Sequence, residues 1–191
     1  MTTTTHRYRI DDLQGAPIAT MSIVQAIAKP DDMSYRGCTG RVTVELEYVE
    51  TSSGSTKRVK AFPFDGQWFP LSGTSFSMRI GNFNLSPELV CRGIGTLCWS
   101  KIHETLPFPP SYSLVLDGKL SDRDATITGM ILGKNRTINN TERRNAFWRR
   151  MLDPADLTFV PSEDGGGYFR GRFVDPAAHS SYIAKAIATK I

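Results

Sequence analysis

LSPELVCRGIGT, residues 85–96, is the stretch on which the fold reading turns. Before it, FSMRIGNFNL at 76–85 reads as a strand, with Gly81 placed for a bulge. After it the period changes. Ile94, Leu97, Cys98, Ile102 and Leu106 fall on one helical face, with Ser100, Lys101 and Glu104 opposite. Prolines at 107, 109 and 110 stop that helix, and SYSLVLD at 111–117 follows as a short apolar strand. A strand, a helix and a strand make a crossover unit, so 76–85 and 111–117 are expected to be parallel neighbours. Within the stretch, Gly93 and Gly95 allow close backbone approach. The helix start offers unpaired N–H groups and partial positive charge, and Arg92 adds a full charge. Together these suit a phosphate or pyrophosphate. Taken alone, a Gly-x-Gly before a helix is more often a turn, and its spacing is not that of the dinucleotide or P-loop fingerprints.

Upstream, RVTVELEY at 41–48 alternates as a half-buried strand should. After a TSSGS turn at 51–55, KRVKAFPF at 57–64 returns antiparallel, with Pro63 at an edge or a bulge. Phe62, Phe64, Trp68 and Phe69 form an aromatic patch, read as core and strand-end packing. Residues 1–20 are polar with Gly15 and Pro17 as breakers, and 21–28 is an apolar run of either type ended by Pro30. Residues 1–40 are therefore only loosely defined. Downstream, 118–139 reads as a long loop around an ATITGMIL segment, a length that marks either function or a missed element. A helix is expected over 140–152, with Arg143, Arg144, Arg149 and Arg150 on its solvated side. A hairpin follows around the SEDGGG turn, and 181–191 reads as a short amphipathic helix with Ile183, Ile187 and Ile191 at four-residue steps. No repeat and no second boundary interrupt 1–191, so one domain is expected.

With 40% hydrophobic and 22% charged residues, the chain can bury a core and is not of the disordered class. A net charge of +4 suits an anionic cofactor or an acidic protein face, and is too small to indicate nucleic acid. No leader or membrane span is evident, so no membrane partner is expected. Cys38, Cys91 and Cys98 show no paired spacing, and His6, His103 and His179 are scattered. Neither a disulfide framework nor a metal site is expected, and the plain reading is a cytoplasmic protein.

The order of elements, together with Pro87-x-x-x-x-Arg92-Gly93-x-Gly95 and Asn140-x-x-Arg143-Arg144-x-x-Phe147-Trp148, resembles the GNAT-type N-acetyltransferase superfamily over residues 76–175. The resemblance implies an α/β (α+β) fold: a mixed, largely antiparallel central sheet with a parallel β-α-β crossover and flanking helices. It implies that strands 76–85 and 111–117 splay apart around the pantetheine arm of acetyl-CoA. Val90, Cys91, Arg92, Gly93, Ile94, Gly95 and Thr96 would then hold the pyrophosphate, with Leu85, Asn140 and Phe147 along the cofactor. The implied activity is acetyl transfer from acetyl-CoA to an unidentified amine, protein or small molecule.

The chain departs from that family's pattern. Its leading basic loop residue falls on Val90, and its proton-donating tyrosine falls on Trp148, whose indole has no proton to give. Glu45 and Glu47, sharing a strand face, are weak candidates for the base. The plain reading of the pair is a solvated strand face. Cys91 precedes a helix start, where a thiol pKa can fall, with no base in view. His103 is read as a surface residue. These departures support a second reading, a catalytically degenerate protein that acts by binding another protein, and a homodimer stays open. An open groove between 76–85 and 111–117 favours the enzyme. A groove filled by Met78, Trp99 or Trp148 favours the binding protein.

Overall fold

The computed structural model describes residues 1–28, 39–52, 55–71, 74–109, 111–120, 126–161, 166–175 and 185–191. The expectations for Pro30, Cys38, Pro110, His179 and Ile183, and the tips of the 51–55 and 162–167 turns, lie outside these residues. Along the chain run β1 (Thr2–Asp12), β2 (Pro17–Ala28), β3 (Thr39–Ser52), β4 (Ser55–Pro70), β5 (Ser75–Phe83), α1 (Ile94–Thr105), β6 (Ser113–Leu120), β7 (Thr126–Ile131), β8 (Lys134–Asn139), α2 (Asn140–Met151), β9 (Thr158–Pro161), β10 (Gly167–Arg172) and β11 (Ala186–Lys190).

Nine strands form one sheet in the order β11-β1-β2-β3-β4-β5-β6-β10-β9, and β7 pairs with β8 apart from it. β1 to β5 make an antiparallel meander. The crossover through α1 sets β5 and β6 parallel, as expected from 76–117. Gly81 is the extra residue of a bulge between Asp65 and Gly66 of β4 and Asn82 and Ile80 of β5. Phe62 and Pro63 together oppose Glu45 of β3 in a second bulge, which removes the need for a ladder N–H that proline lacks.

The alternation in β3 fixes which face is inside. Val42, Val44 and Leu46 are fully buried, whereas Thr43, Glu45 and Glu47 between them are part-exposed. Their register partners continue the inner face through Met21 and Ile23, then Phe64, Trp68, Met78 and Leu116. Both helices lie on this face. Trp99 of α1 packs edge-on against Phe64 of β4 at 4.9 Å, and Lys101 lies over Tyr8 of β1. Gln25 of β2 donates to Thr105 at the end of α1, at 2.8 Å. Phe173, beyond β10, reaches the same tryptophan at 6.0 Å and bonds through its N–H to Leu114 of β6. Five strand spacings separate β1 from β6, roughly 24 Å if the sheet were flat. A helix with its side chains is only about 10–12 Å across. Long side chains on both flanks of α1 carry its contacts from β1 to the segment beyond β10.

This overturns the expected fold class. Among the described residues there are two helices of twelve residues each and eleven strands, so the protein is mostly β and is not a helix-flanked α/β arrangement. Three misreadings account for the difference. Residues 1–28 are two long strands, and 126–139 is a hairpin inside what read as a loop. Residues 186–190 are a strand on the edge of β1, not part of a helix.

Candidate binding groove

The glycine loop is built for packing. Gly93 is the N-cap of α1 at φ +80°, a left-handed conformation that favours glycine. A Cβ there would meet the Cβ of Lys185 at 3.0 Å. Gly95 sits where a Cβ would meet the rings of Phe147 and Phe83 at 3.3 Å. The close approach that the glycines allow is therefore to protein side chains. Val90 and Ile94 are fully buried, and Leu85 and Phe147 nearly so. Arg92 donates from Nε to the Glu88 carbonyl at 2.7 Å, closing the turn. Asn140 is 4% exposed, and its Oδ1 accepts from Nε of Arg143 at 3.0 Å. Cys91, at φ +66°, and Thr96 are part-exposed.

β5 and β6 are paired from Ser75 opposite Ser113 to Ile80 opposite Gly118, and β5 continues to Phe83 and β6 to Leu120 beyond that ladder. Above it the interior holds a continuous aromatic cluster. Phe83 stacks on Phe147 at 5.3 Å, Trp148 stacks on Phe169 at 4.3 Å, and Trp99 meets Trp148 edge-on at 5.6 Å. Met78 and Trp99 are fully buried and Trp148 is 4% exposed. The indole N–H of Trp99 has no hydrogen-bond partner, but its ring lies edge-on to Phe64 and Trp148, a geometry in which N–H groups make weak contacts with π faces.

The other sequence candidates are dispersed. Glu45 and Glu47 project from the outer face of β3, across the sheet from the glycine loop, and Glu45 pairs with Lys60 at 2.8 Å. His103 is not a free surface residue. Its ring lies 4.9 Å from Phe173, and burial lowers its pKa against the opposing pull of Asp175 and Glu104. Arg143 is part-buried, not solvated, and burial lowers its pKa. Arg149 lies over the Phe159 ring at 4.8 Å.

An open groove of about 520 Å³ lies elsewhere, between β4, the 84–87 segment and β7. Phe62 and Pro63 of β4, Leu85 and Pro87 of the following segment, and Ile127 and Thr128 of β7 are among the residues that line it. Gly129 lets the hairpin dock, since a Cβ there would fall 2.9 Å from Cβ of Pro87. Phe62 is 57% exposed, a large apolar side chain left at the rim. Lys60 reaches its ring at 5.7 Å. Of the residues singled out from sequence as cofactor-binding, only Leu85 lines this groove. From sequence, Phe62 belongs to an aromatic patch of core and strand-end packing, and Ile127 and Thr128 to the long 118–139 loop. The signal that was available was the unexplained length of 118–139.

Among the described residues no group of His, Cys, Asp and Glu side chains is placed to hold a metal ion, and no helix is long and apolar enough to cross a membrane. Compared with protein-family profiles, with curated proteins and with solved structures, the chain matches none, so nothing in those comparisons identifies a GNAT superfamily member.

Proposed function

We propose that this protein is a non-catalytic binding protein that engages another protein at the groove between β4 and β7. The observation that carries this reading is the filled interior. Acetyl transfer in the expected manner needs a slot between β5 and β6 for the pantetheine arm. In support of the reading, Met78, Trp99 and Trp148 are buried in the aromatic interior beside these strands, which are paired from Ser75 to Ile80. Opening it would expose a large aromatic cluster to water, at about 25 cal/mol for each Å² of apolar surface. The exposed Phe62 at the rim of a groove with mixed polar and apolar walls is what a docking surface offers a partner.

Isothermal titration of acetyl-CoA and of free CoA into the full chain tests the reading. No heat of binding at millimolar cofactor is the expected outcome. Micromolar binding of either compound would overturn the reading and return the chain to the acyltransferase class.

A further inference from the structure

β4 is long, and among the described residues only half of its second edge is paired. β3 pairs along its length, but β5 begins to pair only at Phe64, opposite Phe83. From Lys57 to Phe62 its second edge is unpaired among the described residues, and Ala61 and Phe62 at the end of that stretch line the groove described above. The direction of its backbone groups follows from the far side of the sheet. The Ile191 N–H donates to the Arg7 carbonyl at 3.0 Å, so Arg7 points its backbone toward β11 and, two residues on, so does Arg9. In an antiparallel ladder, opposed residues either face each other or both turn away. Arg9 lies opposite Thr20, Thr20 opposite Glu47, and Glu47 opposite Lys60. Arg9 and Thr20 turn apart, Thr20 and Glu47 meet, and Glu47 and Lys60 turn apart. Lys60 and Arg58 therefore aim their N–H and C=O groups outward, at the uncovered edge.

We propose, building on the binding reading above, that an extended acidic peptide segment of a partner docks in this groove as an added strand on β4. An uncovered edge is a template for strand addition, in which main-chain hydrogen bonds supply affinity and alternate side chains supply choice. The groove volume of about 520 Å³ falls within the range of pockets that hold compact ligands. The acidic preference comes from Arg58, which is exposed and forms no ion pair among the described residues, whereas Lys60 on the same face already pairs with Glu45. A carboxylate on the added strand would lie directly across from Arg58, a favourable cross-strand pair.

The test uses three fluorescein-labelled probes with the full chain: the peptide Thr-Glu-Val-Glu-Val-Glu-Thr, the same peptide with lysine for glutamate, and a ten-nucleotide oligothymidylate. A fourth probe is the acidic peptide N-methylated at alternate amides. Polarisation is expected to show the acidic peptide binding at least tenfold tighter than the lysine peptide and the oligonucleotide. Arg58→Glu, Phe62→Ala and N-methylation are each expected to weaken it tenfold or more. Amide hydrogen exchange at Arg58 and Lys60 is expected to slow on binding. Acidic peptide binding without that protection, or indifferent to N-methylation, would overturn strand addition while leaving a binding protein. Equal or tighter binding of the lysine peptide or the oligonucleotide would overturn the acidic preference. No binding of any probe would overturn the proposal, while the cofactor titration would still judge the binding reading separately.

Discussion

At the scale of single residues, the interior tolerates little change. Gly40 lies under Trp68, and a Cβ there would fall 2.5 Å from the indole ring. Its backbone is ordinary, so the requirement is space alone. Gly40→Ala is expected to destabilise the protein by about 1–3 kcal/mol through overpacking, measured by urea unfolding. Cys98 is the second such residue. Burial pushes its thiol from 9.0 up to about 12. The folded state holds that proton more tightly than the unfolded chain does. The contribution is therefore intact below the ordinary value of 9.0 and is lost as pH rises toward about 12. Burial also raises the hydroxyls of Tyr8 and Tyr48, which act in the same direction at higher pH. Unfolding free energies at pH about 8 and about 10 are expected to fall less in Cys98→Ala than in the parent protein. An equal fall in both would show that Cys98 does not titrate in this way.

At the scale of elements, what could be read from sequence depended on how local the signal was. The alternation of 41–48, the helical period from Ile94 and the bulge at Gly81 all come from neighbours in sequence, and all three appear as expected. The helix at 140 likewise has its signal at hand: the Asn139 side chain accepts from the Glu142 N–H at 3.2 Å, capping α2. Asn139→Ala is expected to cost about 1 kcal/mol, visible as a lower urea midpoint with an unchanged slope. The failures came where distant chain decides. Thr2 to Thr5 read as loose polar residues, yet threonine is a good strand former once β2 supplies a ladder. The four-residue steps of Ile187 and Ile191 suggested a helix, but Ala186, Ala188 and Lys190 pair with Asp12, Ile10 and Tyr8 on the edge of β1. Tertiary pairing overrode a short periodicity. The glycine loop lies at the start of α1, as expected, and its tight packing has a distant cause. The ligand of Gly95 is the Phe147 ring, which belongs to an element some fifty residues away in sequence.

At the scale of the whole molecule, the decisive feature is a sheet whose inner face packs against both helices around one aromatic cluster. Trp99 sits at the centre, in contact with Phe64 of β4, Phe83 of β5, Trp148 of α2 and Phe173 beyond β10. At the surface, Phe62 is exposed beside the groove that the hairpin of β7 and β8 helps to line. The most direct test follows the indole N–H signals of Trp99 and Trp148 by nuclear magnetic resonance on nitrogen-15-labelled protein during titration with acetyl-CoA. The closed interior requires that both signals stay in place to millimolar cofactor and that the Trp99 N–H exchange slowly with solvent. Signals that shift and saturate at micromolar acetyl-CoA would mean that the cluster opens to admit the cofactor, and would contradict the account.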